Sequence, residues 1–174
     1  MNDHDFIKNY LEDLSLQLKP SEEIIERLIK VRDLMVDVNK KNKKILIFGN
    51  GGSAAIAGHF SVDLTKNAKL RCLNFNEAGL ITCFANDFGF ERWVEKAIDF
   101  YGDEGDVVII ISASGKSPNM VNGCEAARRK KFSKTIKLGK KMRTFLTNLA
   151  ENRINKRNKL MQLLEILDFT EIEE

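Results

Sequence analysis

The sequence is poor in the residues that mark disordered, fibrous or disulfide-stabilised chains. It contains 2 prolines, 11 glycines and 3 cysteines in 174 residues, whereas 43% of its residues are hydrophobic. This composition excludes low-complexity disorder, a collagen-like repeat and a disulfide scaffold. A chain of this length buries enough apolar surface to form its own core, so we expect a single domain over residues 1–174.

Cysteine pairs, a signal segment and a long apolar run are also missing. Cys72, Cys83 and Cys124 form no C-x-x-C pair, which predicts reduced thiols. The acidic start of the chain lacks the basic and apolar segments of a secretory signal, and the longest apolar run, residues 107–111, is too short to cross a membrane. We therefore expect a cytoplasmic protein without a membrane partner.

Charge is nearly balanced overall but unevenly distributed. There are 28 Lys and Arg residues against 25 Asp and Glu residues, a net charge of +3. Residues 128–159 hold thirteen basic residues and one acidic residue, so the rest of the chain carries a net charge of −9. A solvated helix face is the usual meaning of such a basic segment, and the alternative is an interaction with nucleic acid or another acidic partner.

The spacing of apolar residues predicts an α/β fold. Helical spacing predicts two helices within residues 1–43, and buried strands then alternate with helices over residues 44–132, as in a three-layer, flavodoxin-like parallel sheet. The predicted strands lie at residues 45–48, 71–74 and 107–111, and the helices at about residues 53–66, 78–85, 91–100 and 117–131. In the basic tail, residues 133–174, residues 135–138 fit one more strand and the leucines from Leu160 onward fit a helix.

A glycine-rich turn follows the first predicted strand. Gly49, Asn50, Gly51, Gly52 and Ser53 stand between that strand and a helix, where glycines let a ligand approach the backbone and helix amides face an anion. The segment matches neither a Walker loop nor a dinucleotide fingerprint. A phosphate-binding loop and a tight structural turn both fit this pattern.

A second polar turn follows the strand at residues 107–111. Ser112, Ser114 and Ser117 place three hydroxyls at a carboxyl strand end, the edge at which open α/β sheets bind ligands. Ser117 followed by Pro118 also fits a helix N-cap, but capping does not explain Ser112 and Ser114. Two such turns together favour a sugar-phosphate site.

Two ionisable residues share one face of the helix at residues 53–66. His59 and Asp63 are four residues apart, so their side chains emerge on the same side. They could hold half of a zinc site or place a proton acceptor beside a sugar. An ordinary surface pair is the alternative.

A polar break separates the next two predicted helices. It contains Asn86, Asp87 and Gly89. Asn and Asp commonly cap the following helix, and this explanation is sufficient.

Taken as an ordered set, these segments closely resemble the sugar isomerase (SIS) domain of phosphoheptose isomerases. The resemblance covers residues 5–132 and rests on Gly49-Asn50-Gly51-Gly52-Ser53-Ala54-Ala55, His59-Phe60, Asn86-Asp87-Phe88-Gly89, Gly105-Asp106-Val107 and Ser112-Ala113-Ser114-Gly115-Lys116-Ser117-Pro118-Asn119. It implies a homotetramer with active sites between subunits. It also implies conversion of sedoheptulose 7-phosphate to D-glycero-D-manno-heptose 7-phosphate for lipopolysaccharide or capsule.

The same resemblance implies roles for individual residues. The substrate-binding residues would be Asn50, Gly51, Gly52, Ser53, Asp87, Ser112, Ser114 and Ser117. His59 would bind zinc, and Asp63 stands where the family has a catalytic, metal-binding glutamate. Aspartate is shorter by one methylene, about 1.5 Å, and a displacement near 1 Å can lower a rate by on the order of 10²-fold.

The tail departs from the family pattern. The family carries a glutamine there and, two turns further on, a histidine, which bind zinc and supply a general acid/base. Here no histidine follows His59, and Gln162 is the only glutamine of the tail. Because aldose–ketose isomerisation needs both a base and an acid, losing one of them would lower the rate by about 10²–10⁴-fold.

Three explanations for this departure stay open. A shifted or truncated reading of an isomerase gene would explain the loss of pattern after Ser133, and translating the other two reading frames would test it. Alternatively, the active site is rebuilt from other groups such as Glu165 or Asp168. The third explanation is a sugar-phosphate-binding or interaction module without turnover, carrying a basic tail.

Overall fold

The structure is a computed structural model that describes residues 2–17, 19, 21–138 and 169–170. The helices are α1 (Asp3–Gln17), α2 (Glu22–Lys40), α3 (Gly52–Lys66), α4 (Ala78–Phe88), α5 (Trp93–Tyr101) and α6 (Pro118–Arg129). The strands are β1 (Ile45–Gly49), β2 (Cys72–Asn74), β3 (Val107–Ile111), β4 (Lys134–Leu138) and β5 (Phe169–Thr170), and a 3-10 turn (Phe90–Arg92) precedes α5. The predicted core elements and the additional strand are confirmed, whereas the predicted tail helix lies outside the described residues.

The strands form one sheet in the order β2-β1-β3-β4-β5. The first four strands are parallel, and β5 pairs antiparallel to β4. After β1 the chain passes through α3 to β2 on one side, and it then crosses back to place β3 on the other side of β1. The carboxyl ends of β1 and β3 therefore flank the topological switch point, where a crevice for ligands opens in sheets of this kind.

Helices cover both faces of the sheet, as the three-layer prediction requires. On one face, buried residues of α2 and α3, among them Met35 and Phe60, pack against Ile45 and Ile47. On the other face, residues of α5 and α6 pack against Leu46 and Phe48. Successive residues of β1 thus point into different cores, which explains why the buried strands are apolar without alternation.

The first helix presents apolar side chains to solvent. Phe6, Ile7, Tyr10 and Leu11 are each 55–56% exposed. The second helix instead buries Leu28, Met35 and Val38. Among the described residues, no helix has the length and hydropathy needed to cross a membrane.

The three cysteines are free thiols, as predicted from their spacing. Burial raises the pKa of Cys72 to about 12. Burial also raises the pKa of Cys124, whereas Cys83 lies exposed on α4. At neutral pH the two buried residues are therefore neutral thiols that belong to the apolar core.

A buried carboxylate ties the amino ends of β1 and β3 together. Asp106 is fully buried, and its two oxygens accept hydrogen bonds from the Lys44 backbone at 2.9 Å, the Lys44 Nζ at 2.6 Å and the Asp103 backbone at 2.8 Å. Burial alone would lower the pKa of Lys44, but hydrogen bonds and charges from Asp103 and Asp106 outweigh it and raise that pKa. Lys44 Nζ also donates to Asp103 at 2.6 Å, so the buried ammonium lies between two carboxylate acceptors, which offsets its loss of hydration.

Removing this carboxylate is expected to destabilise the fold strongly. The Asp106→Ala variant leaves a buried ammonium without its main partner, so we expect the free energy of unfolding to fall by about 3–5 kcal/mol. Urea denaturation followed by circular dichroism measures this loss. Asp33→Ala, which removes an exposed pair with Arg32, is the control and should change stability by less than about 1 kcal/mol. Equal losses in both variants would contradict the assignment.

Candidate functional site

The two polar turns begin at the same height on neighbouring strands. Gly49, the last residue of β1, pairs with Ile111, the last residue of β3. Asn50 and Ser112 therefore leave the sheet side by side at the switch point. The register thus brings both predicted polar turns to the same edge of the sheet.

The turn after β1 requires glycine at two positions. A Cβ atom at Gly49 would lie 2.4 Å from the Ser53 carbonyl oxygen, so the start of α3 folds directly over this residue. Gly51 has φ +53° and ψ −123°, a conformation open to glycine and strained for other residues. The Ser53 amide donates to the Asn50 carbonyl at 3.0 Å, which closes the turn and starts the helix.

The turn after β3 is folded by its own hydroxyls. Ser112 Oγ accepts from the Gly115 amide at 3.1 Å, and Ser114 Oγ accepts from the Lys116 amide at 3.2 Å. A hydroxyl that accepts a backbone hydrogen bond keeps its own proton for a second acceptor. Both serines can therefore shape the turn and still donate to an oxygen of a bound anion.

Ser117 occupies the N-cap position of α6, and Pro118 is the first helical residue, as their order in the sequence predicts. The Ser117 side chain makes no capping hydrogen bond to the helix. Capping therefore does not use this hydroxyl, and it stays available to a ligand beside the amides of the first turn.

Two asparagines connect the turns, and sequence reasoning missed one of them. Asn50 and Asn119 exchange side-chain hydrogen bonds at 3.0 and 2.9 Å across 69 residues of sequence. Asn76 adds a bond from the β2 side, because its Nδ2 donates to the Gly49 carbonyl at 2.8 Å. Nothing in the spacing of these residues indicated the contacts, since only the register of the sheet brings them together.

Lys116 is the second residue that sequence reasoning missed. It is exposed and lies between Ser114 and Ser117, and it is the only Lys or Arg in the turns after β1, β2 and β3. Glu77, the acidic residue of these turns, instead caps α4 and accepts from the Gly79 and Leu80 amides. Those hydrogen bonds lower the pKa of Glu77. The described part of this edge therefore offers one cation to an anionic ligand.

His59 and Asp63 lie on one face of α3, as predicted. His59 Nε2 is 3.3 Å from Asp63 Oδ2, and Asn67 Nδ2 donates to the other Asp63 oxygen at 2.9 Å. Imidazole and carboxylate are both ordinary zinc donors, so the pair fits two ligand positions. Among the residues described, His, Cys, Asp and Glu form no cluster of three that would complete a metal site.

His59 and Asp63 lie away from the start of their helix. They follow Gly52, the first residue of α3, by seven and eleven positions. A rise of 1.5 Å per residue separates them from Gly52 by about 10 and about 16 Å along the helix axis.

The capping role expected for Asn86 and Asp87 is wrong. Both residues lie inside α4, which continues to Phe88 and ends at Gly89 with φ +89°. Asp87 accepts from Asn86 Nδ2 at 2.8 Å, and Cys83 Sγ lies 3.8 Å from its other oxygen. The helix extends further than predicted because the left-handed glycine, rather than the polar pair, ends it.

The geometry defines an α/β protein with two polar turns at the switch point of its sheet. Comparisons with known proteins identify its family. The SIS domain family model matches residues 9–136. A phosphoheptose isomerase of Fusobacterium nucleatum is 38% identical over 141 residues, which cover 77% of this chain and 73% of the relative. One from Hamiltonella defensa is 36% identical over 126 residues, which cover 70% of this chain and 61% of the relative.

Solved structures give the same result. Phosphoheptose isomerase GmhA from Neisseria gonorrhoeae aligns with a TM-score of 0.72 and 28% identity, covering 79% of this chain and 76% of that one. A phosphoheptose isomerase from Francisella tularensis aligns with a TM-score of 0.70 and 26% identity, covering 80% and 75%. The chain belongs to the SIS domain family, and its relatives there include phosphoheptose isomerases.

The glycine requirement in the first turn can be tested on stability alone. Gly51→Ala forces a side chain into a left-handed conformation, and we expect the free energy of unfolding to fall by about 1–3 kcal/mol. Gly52→Ala is the matched control, because a Cβ there meets open space and its φ is helical. Denaturant unfolding without ligand should show at most about 0.5 kcal/mol for the control. A loss at Gly52 equal to that at Gly51 would refute the turn geometry.

Proposed function

We propose that this protein is an aldose–ketose isomerase that interconverts sedoheptulose 7-phosphate and D-glycero-D-manno-heptose 7-phosphate. The observation that carries the proposal is the pair of polar turns that leave β1 and β3 at the same height. The names of the relatives support the same substrate class. A binding module without turnover, the alternative from the sequence, gains no support from these relatives.

The substrate phosphate would sit between the two turns. Donors to its oxygens would come from the Ser53, Ser112, Ser114 and Ser117 hydroxyls and from the first amides of α3 and α6, with Asn50, Gly51 and Gly52 forming the wall of the site. Both helices begin at this edge, so their dipoles favour an anion there. Lys116 would neutralise part of the phosphate charge that the neutral hydroxyls leave uncompensated. Asp87 would contact the sugar, as the family resemblance implies.

Isomerisation requires removal of the proton on the carbon next to the carbonyl. We assign this step to Asp63, whose carboxylate is oriented by Asn67 on one oxygen and by His59 at 3.3 Å from the other. The Asp63 side chain is 18% exposed, so the carboxylate that would accept the proton is partly desolvated. A carboxylate fixed by two neighbours keeps the geometry that proton transfer needs.

Zinc is the cofactor proposed from the family resemblance. His59 and Asp63 would hold it, and when bound it would polarise the sugar oxygens. Additional ligands would come from groups outside the described residues or from another copy of the chain.

Assembly and location complete the proposal. We propose a homo-oligomer, a tetramer by family resemblance, in the cytoplasm, with a role in lipopolysaccharide or capsule heptose synthesis. The exposed apolar face of α1 supports self-association, because Phe6, Ile7, Tyr10 and Leu11 lack cover within the described chain. Residues 139–168 and 171–174 of the basic tail lie outside the described residues, and an interaction of the tail with nucleic acid or another acidic partner stays a prediction from its charge.

The role of Lys116 predicts a binding defect rather than a chemical one. The Lys116→Gln variant loses a charge-assisted contact made equally in ground and transition state, so we expect KM for sedoheptulose 7-phosphate to rise about tenfold with kcat little changed. Steady-state kinetics measures both values. Lys66→Gln, at the opposite end of α3, is the matched control and should leave KM unchanged. An unaltered KM in Lys116→Gln would remove this residue from the site.

The role of Asp63 predicts a chemical defect. Asp63→Asn keeps the shape but loses the base, so we expect kcat to fall by about 10²–10⁴-fold. Asp33→Asn on α2 is the control and should retain activity. Treatment with a chelator should abolish turnover, and added zinc should restore it in the wild type but not in Asp63→Asn. Full activity in Asp63→Asn would contradict the assignment of the base.

A further inference from the structure

The turn after β1 is held on both sides by asparagine side chains. On the β2 side, Asn76 Nδ2 donates to the Gly49 carbonyl at 2.8 Å, and Asn74 Nδ2 donates to the Ile47 carbonyl at 3.1 Å. On the β3 side, the reciprocal pair between Asn50 and Asn119 closes the connection. The turn after β1 is therefore tied to the strand ends on both sides through asparagine amides.

Asn119 is suited to anchor this pair. It is 2% exposed, and it is the second residue of α6, where the helix fixes its backbone. Its Oδ1 accepts from Asn50 at 3.0 Å and from the Met120 amide at 3.1 Å, while its Nδ2 donates to Asn50 Oδ1 at 2.9 Å. A side chain this buried acts through its neighbour, not by touching a dissolved ligand.

The pairing leaves Asn50 partly available. Each asparagine amide has two donor hydrogens and an oxygen with two lone pairs, and the pair uses one donor and one acceptor position of Asn50. One hydrogen and one lone pair of the Asn50 amide are not used by the pair, on a residue that is half-buried at the start of the turn. Asn119 thus determines where the free half of the Asn50 amide points.

We propose that Asn119 is a positioning residue that locks the turn after β1 to the turn after β3, so that both present their donors to one phosphate. This inference rests on the proposed function for its substrate. The two turns are parts of different strand–helix units, and the amide pair is what prevents one from shifting relative to the other. Because donors that are already held in place lose less freedom when they bind an anion, the pair sets substrate affinity.

The test compares two asparagines on the same helix. Asn119→Ala breaks the lock, whereas Asn122→Ala, one turn further along α6, removes a bond from its Nδ2 to the Glu91 carbonyl that does not involve either turn. Urea denaturation first establishes that both variants are folded. Steady-state kinetics with sedoheptulose 7-phosphate and hydrogen exchange of amides 50–53 then follow on wild type and on both variants.

We expect Asn119→Ala to raise KM about tenfold with a much smaller change in kcat. Hydrogen exchange of amides 50–53 should become faster by a similar factor, because the two hydrogen bonds between Asn50 and Asn119 are lost. Asn122→Ala should change neither value. The double variant Asn50→Ala/Asn119→Ala should be no worse in KM than Asn50→Ala alone, because the two residues act as one unit.

Each other result overturns the proposal. Unchanged exchange at residues 50–53 in Asn119→Ala would show that the pair does not hold the turn. Faster exchange of amides 50–53 with an unchanged KM in Asn119→Ala would show that the asparagine pair holds the turn but does not contribute to substrate binding. If wild type neither converts nor binds sedoheptulose 7-phosphate, the proposed function and the substrate role of Asn119 fail together, whereas the exchange measurement still decides whether the lock exists.

Discussion

The parallel pairing of β1 with β3 is the contact on which the site depends. Its register places Gly49 opposite Ile111, so two turns separated by some sixty residues of sequence start from one level. The same pairing is secured at its opposite end by Asp106, which binds Lys44 through both backbone and side chain. The buried ion pair thus fixes the register of β1 and β3 at their amino ends. At their carboxyl ends the same register places the two polar turns side by side.

The turns are built mainly from neutral hydrogen-bonding groups. Backbone amides, serine hydroxyls and asparagine amides satisfy one another before any ligand arrives, as in the bonds from Gly115 to Ser112 and from Lys116 to Ser114. Such groups carry no net charge to desolvate, so the turns keep their shape through their own hydrogen bonds. Lys116 would add electrostatic attraction for the proposed phosphate. Because Lys116 is exposed, its charge needs no buried counterion.

Much of the fold was predictable from sequence, and part of the site was not. Continuous apolar runs identified β1 and β3, and Gly49 and Pro118 marked their turns, because these signals are local. The bond between Asn50 and Asn119 depends on strand order, which no local pattern encodes. Asn86 and Asp87 looked like caps, but the helix continued past them to Gly89, since positive φ at a glycine is a stronger stop than a polar side chain.

The length of α3 bears on how a complete active site is assembled. The helix begins at the turn after β1 and carries His59 and Asp63 seven and eleven residues beyond Gly52, about 10 and about 16 Å along its axis. The turn and Asp63 thus lie near opposite ends of α3. The proposed association through the exposed apolar face of α1 would let Asp63 act on a sugar held by the turns of another copy. Oligomerisation would then contribute directly to the chemistry.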